Sequence, residues 1–140
     1  MRSRKKHDLA DASVTFTTLP RAVIIHGLVE ARLALRPALP VTLLSPPGAA
    51  LSWGCLWWRA LLSIAEHNGP ALLDCSIAPG RAMEALTIGL KGMVLTPCPS
   101  WDEIAAMAAN QGAVLLNSTP PALNLRQPGA ESRLISWLNG

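Results

Sequence analysis

The chain has 140 residues, half of them hydrophobic and only 15% charged, a composition that excludes a disordered polypeptide and can supply one core. Its net charge of +3 is local: Arg2, Arg4, Lys5 and Lys6 lie in the first six residues, whereas residues 14–140 carry eight basic and seven acidic side chains. That near-neutral body offers no basic face for phosphate backbones, so no nucleic-acid partner is expected.

In chain order, residues 1–13 are expected to be a disordered basic tail and residues 14–140 a single domain. No apolar run follows the basic start, so it does not read as a secretory signal. Residues 14–18 (VTFTT) alternate weakly, at best an edge strand or a clip across the domain. Residues 21–26 (RAVIIH) form the first convincing strand, and Leu28, Ala31 and Leu35 mark a short helix stopped by Pro37. Residues 41–44 are the next strand. Ser45-Pro46-Pro47-Gly48 is a turn into a long apolar helix over about residues 49–67, ended by Asn68-Gly69-Pro70. Residues 71–74 form the third strand, followed by a helix with Ala82, Met83 and Leu86 on one face. Residues 93–95 form the fourth strand. Ser100 and Glu103 have the spacing of a capping box for a helix ending at Gly112, and residues 113–116 form the fifth strand. Residues 120–129 read as loop, and residues 131–138 as a last helix.

The strands are apolar runs without alternation, the pattern of a sheet covered on both faces. The fold expected is α/β, with an open, mainly parallel five-stranded sheet and helices on both faces, flavodoxin-like or Rossmann-like in three layers. Residues 48–65 are the one membrane candidate, but Arg59 sits inside, and a central Arg costs about 2.5–3.5 kcal/mol on insertion. A buried helix is expected instead. Cys55, Cys75 and Cys98 show no CxxC and no Cys/His pairing, so neither a disulfide framework nor a metal site is expected, and a reducing cytoplasm fits.

Two segments carry a likeness to a known family. VTLLSPPGAALSWGCLWWRALL resembles the third strand and helix of response-regulator receiver domains, and AMEALTIGLKGMVLTPCPSWDEIAAM is similar to their last portion. The likeness covers about half the chain. Receivers need an acceptor Asp, an acidic pair for magnesium and a Lys beside the phosphoryl group. Here the acceptor position falls on Ser45, the Lys position on Thr96, and the first strand ends in His26-Gly27 in place of an acidic pair. The resemblance therefore implies the layered fold without phosphotransfer.

In an open α/β sheet, ligands bind beyond the carboxyl ends of the strands. Those ends hold His26, Ser45, Asp74-Cys75-Ser76, Thr96 to Cys98, and Asn117 to Thr119 with Ser118 between them. Candidate ligand-binding residues are Ser45, Gly48, Asp74, Ser76, Gly80, Arg81, Thr96 and Ser118. The loops at Gly48 and Gly80 open helices whose free amides, with Arg81, could meet an anion. A nucleophile reading would set Cys75 or Cys98 beside His26, with Asp74 the rim's acidic group. His67 is expected to close its helix as a dipole partner. Trp53 and Trp57 share a helix face and Trp58 is turned about 100° from Trp57, so these three are expected in the core, at a subunit interface or as a ligand wall, and Trp137 is a further interface candidate. The expectation is a binding or protein-interaction module, a homodimer or bound to another protein, with no cofactor and no membrane partner. The alternative is a small cytoplasmic enzyme or metabolite-binding protein using the rim around Asp74.

Overall fold

The computed structural model describes residues 19–140. The expected tail over residues 1–13 and the weak strand over 14–18 lie outside the described residues. The elements run β1 (Ala22–Ile24), α1 (Leu28–Leu35), β2 (Thr42–Leu44), α2 (Ala49–Ser52), α3 (Cys55–Ile64), β3 (Ala71–Asp74), α4 (Pro79–Thr87), β4 (Gly92–Val94), α5 (Trp101–Asn110), β5 (Val114–Leu116), β6 (Ala122–Asn124) and α6 (Ala130–Asn139). The α/β class and the open parallel sheet follow from the sequence as expected. The sheet has six strands instead of five, the extra one being β6, which lies within the stretch read as loop.

Every strand pair is parallel, in the order β5-β4-β3-β2-β1-β6. From β1 to β5 each strand is laid beside its predecessor in one direction. Right-handed crossovers that never change direction put their helices on one side of the sheet. The packing agrees. Buried Ala31, Ala34, Ala49, Ala50, Trp58, Leu61, Ala82, Ala85, Leu86, Ile104, Ala108 and Leu134 from all the helices share one cluster with Val23, Leu43, Leu73, Met93 and Leu123 of the strands. The other face of the sheet gathers Ala22, Leu44, Leu72, Val94 and Leu116, with Leu19, Ile24, Val114 and Ala122 against them, and no helical residue is among them in the described chain. Among the described residues, every helix contributes to the first cluster, and the second is made of strand side chains and Leu19.

Chain length explains how, among the described residues, strand side chains bury one another on this face. Six Cα steps join Leu116 to Ala122, a reach of at most about 23 Å. A flat sheet would hold β5 and β6 about 24 Å apart by strand spacing alone. The link must also return from the carboxyl to the amino end of the sheet. The sheet therefore curls until its unpaired edges approach, and the concave face fills with its own apolar groups.

Several local expectations change. The helix expected over residues 49–67 is broken into α2 and α3 by Gly54, whose φ of +90° is a backbone region that suits glycine. His67 lies beyond α3, where its amide donates to the Leu62 carbonyl at 3.0 Å, while its ring Nε2 meets the Pro70 carbonyl at 2.9 Å and not the helix carbonyls. The capping box does not form: Ser100 makes no side-chain bond to α5, and the Trp101 amide donates to the Cys98 carbonyl at 3.0 Å. No helix of the described residues is long and apolar enough to cross a membrane.

Candidate functional site

The end of β3 is tied to the loop after β2 by a polar lattice. The Asp74 amide donates to the Ser45 hydroxyl at 2.9 Å, and that hydroxyl donates to the Pro46 carbonyl at 3.1 Å. The Asp74 carboxylate accepts the Gly48 amide at 3.2 Å on one oxygen and the Ser76 amide at 2.8 Å on the other. Ser76 holds a left-handed φ of +54°, and its carbonyl accepts the Thr96 amide at 2.9 Å. Ser45, Gly48, Asp74 and Ser76 therefore do come together, but on one another. A carboxylate whose oxygens each accept a backbone amide locks a strained turn, and Asp74 is largely buried in doing so.

The remaining candidates separate from that lattice. Arg81 pairs with Glu84 at 2.7 Å on α4, and Glu84 holds the guanidinium above its ordinary range. The anion reading at Gly48 and Gly80 thus loses the Gly48 amide to Asp74 and the Arg81 charge to Glu84. Thr96 and Ser118 are exposed at the ends of β4 and β5. Burial and the nearby Cys55 and Asp74 push the Cys75 thiol up to about 12, and burial with Glu84 pushes Cys55 up to about 11. Both are fully enclosed in the core, and the Cys55 thiol donates to the Arg81 carbonyl at 3.3 Å. A thiol so protonated has almost no thiolate at neutral pH, so Cys75 is not arranged as a nucleophile. Among the described residues no three His, Cys, Asp or Glu groups converge as metal ligands.

A cavity on this edge lies elsewhere. It has a volume of about 190 Å³ and is walled by His26, Pro46, Pro47, Ala49, Ser52, Trp53 and Arg126. The strand order explains the grouping: β1 lies between β2 and β6, so the residues that follow the carboxyl ends of these three strands meet. His26 continues β1. Pro46 and Pro47 set the turn after β2, and α2 with its cap Trp53 forms the next wall. Arg126 follows β6, in a turn where its amide donates to the Asn124 side chain at 3.0 Å.

His26 is fixed from behind. Glu30, one turn into α1, reaches back so that one carboxylate oxygen takes the His26 amide at 2.6 Å and Nδ1 at 2.9 Å. A carboxylate has only lone pairs to offer, so the shared hydrogen is on Nδ1 and Nε2 is the ring's remaining polar atom. The other Glu30 oxygen lies 3.8 Å from Arg126 Nε. Trp53 is 51% exposed and packs edge to face on Trp57, ring centres 4.6 Å apart, while Trp57 lies 5.7 Å from the fully buried Trp58. Of the four tryptophans named from the sequence, Trp58 is core. Trp137 is held at home, its indole donating to the Ala22 carbonyl at 2.8 Å under the Arg21 guanidinium. Trp53 is the one at the cavity.

Sequence reasoning put His26 and Pro46 on the rim and allowed a tryptophan wall, but missed Glu30, Arg126, Ser52, Ala49 and Pro47 as neighbours. The one local signal was the four-residue spacing of His26 and Glu30 across a helix start. Arg126 had none, because β6 is only three residues between Pro-rich stretches.

Compared with known proteins, the chain matches no family model, no curated protein and no solved structure.

Proposed function

We propose that this chain is a small α/β binding module, without receiver-type phosphotransfer, that takes its ligand at the carboxyl edge over the ends of β6, β1 and β2. One observation carries the proposal: the cavity there joins an aromatic wall, Trp53, to a cation, Arg126, and to an imidazole held in one orientation, His26. Ligand sites in α/β sheets lie beyond this end, and most combine apolar walls with a few placed polar groups. A reaction at Asp74 and Cys75 has less support, since the carboxylate is occupied by amides and the thiol is buried and protonated.

A second reading, docking of a protein or of a second copy of the chain, draws on the same edge. Exposed Val29, Leu51, Trp53, Leu56 and Ile77 all follow strand carboxyl ends. Exposed apolar groups along an edge that also holds a cavity suit a contact in which a partner side chain enters it.

The test is thermal melting of the wild type and of Trp53→Ala with a panel of small fragments: indole, benzoate, imidazole and benzamide. A ligand at ten times its Kd adds about 1.4 kcal/mol to stability, a rise of roughly 4 °C for a domain of this size. At least one fragment is expected to raise the wild-type Tm and to lose that effect in Trp53→Ala. Equal shifts in both proteins, or none in either, would overturn the proposal.

A further inference from the structure

Resting on that binding reading, we infer that the cavity beneath Trp53 is a site for a small aromatic carboxylate, its ring against Trp53 and its carboxylate on Arg126. Size comes first. An apolar protein cavity of about 150 Å³ accepts benzene, so the 190 Å³ here has room for a six-membered ring with one compact substituent. It is too small for a nucleotide or a drug-sized ligand, whose pockets run from about 300 Å³ upward.

The walls decide the ring. Pro46, Pro47, Ala49 and Trp53 are apolar, and Trp53 is braced by its edge-to-face contact with Trp57, so its indole is in place before a ligand arrives.

Charge decides the substituent. Glu30, against the cavity residue His26, is engaged on one oxygen by the His26 amide and ring. Its other oxygen forms a long ion pair with Arg126, 3.8 Å from Nε and beyond hydrogen-bond distance, so the guanidinium's donors stay open to a ligand. Among the described residues the Arg126 guanidinium donates no hydrogen bond, and its side chain is 63% exposed at the cavity wall. A guanidinium presents paired donors that fit the two oxygens of a carboxylate. A ligand cation would face Arg126 and would find Glu30 already engaged. His26 Nε2, the ring's remaining polar atom, can accept a hydrogen bond from a hydroxyl on the ligand ring.

The experiment follows the tryptophan indole resonances of the ¹⁵N-labelled full chain during titration with benzoate, benzamide and benzylammonium, in the wild type and in Arg126→Gln. Benzoate is expected to shift the Trp53 indole saturably, to bind about five- to tenfold more tightly than benzamide, and to lose that preference in Arg126→Gln. The Trp137 indole, bonded to Ala22 at the far end of β1, should not move and reports that the fold is intact. Benzamide or benzylammonium binding at Trp53 as tightly as benzoate would overturn the carboxylate inference and leave the cavity as the ligand site. None of the three moving Trp53 up to about 20 mM, a range that weak fragments of this size reach, would overturn both.

Discussion

Replacing Asp74 by Ala removes the acceptor for the Gly48 and Ser76 amides together. Bonds to a charged acceptor contribute about 1.5–3 kcal/mol, and amides left without a partner add a desolvation cost. Asp74→Ala is therefore expected to lower unfolding free energy by about 2–4 kcal/mol in urea titration. Asp74→Asn keeps one acceptor oxygen but sets an NH2 against the other backbone amide, so it should recover only part of that loss. An Asp74→Ala protein as stable as the wild type would show that the lattice does not lock the turn. The thiols give a second forecast. Cys55 and Cys75 are raised from their ordinary value of 9.0 to about 11 and about 12. The folded chain thus holds protons that the unfolded chain releases, and stability is full below pH 9 and declines as pH rises toward those values. Urea midpoints at pH 8, 9 and 10 should fall slightly over the first step and about three times as much over the last. At pH 8 a disulfide reagent should label one thiol rapidly, the half-buried Cys98, with Cys55 and Cys75 reacting only at the rate of unfolding. At this scale the sequence showed that Asp74 and Ser45 lie on the edge, but not that they bond to each other. Which lone pair meets which amide depends on the Ser76 backbone turning to a positive φ, and nothing in the residue type requires it.

Elements were the most legible level, because apolar runs and helical periodicity are local properties. β3 occupies residues 71–74 as read from ALLD, and α1 and α6 fall within a residue of the stretches expected. The long helix was misread because Trp53 and Trp57 keep helical spacing across Gly54. A positive φ at Gly54 is permitted by its lack of a side chain but not announced by it. Close approach is another element-scale property. A Cβ at Gly92 of β4 would collide with the Ala71 carbonyl of β3 and press on Leu72. Gly92→Ala is accordingly expected to destabilise by about 2 kcal/mol or more, since neighbouring backbone cannot yield as a side-chain tip would. A melting temperature unchanged in Gly92→Ala would contradict the β3–β4 packing. The receiver-like reading of two segments is tested at this scale as well, with Ser45 and Thr96 just past the ends of β2 and β4. Beryllofluoride with magnesium is expected to produce no change in the amide spectrum, and a saturable change would reinstate phosphotransfer chemistry.

For the whole molecule, the open parallel sheet could be read from the chain, but its curl and its edge could not. The curl follows from one short link between the two outermost strands, and from sequence alone β6 was invisible within a Pro-rich loop. Because β6 pairs with β1, Arg126 arrives beside His26 across a hundred residues of chain. No motif spacing encodes such a meeting. The same curl leaves the carboxyl edge with two unlike regions, a closed polar lattice at β3 and an open aromatic cavity at β1, and the account rests on the second being the one that binds. Soaking crystals of the full chain with benzoate and related ring fragments tests this most directly. The account predicts ring-shaped density between Trp53, Pro46 and Arg126, with the Asp74 lattice unchanged. Fragments that settle only at other surfaces, while the cavity stands open to solvent in the same crystals, would contradict it.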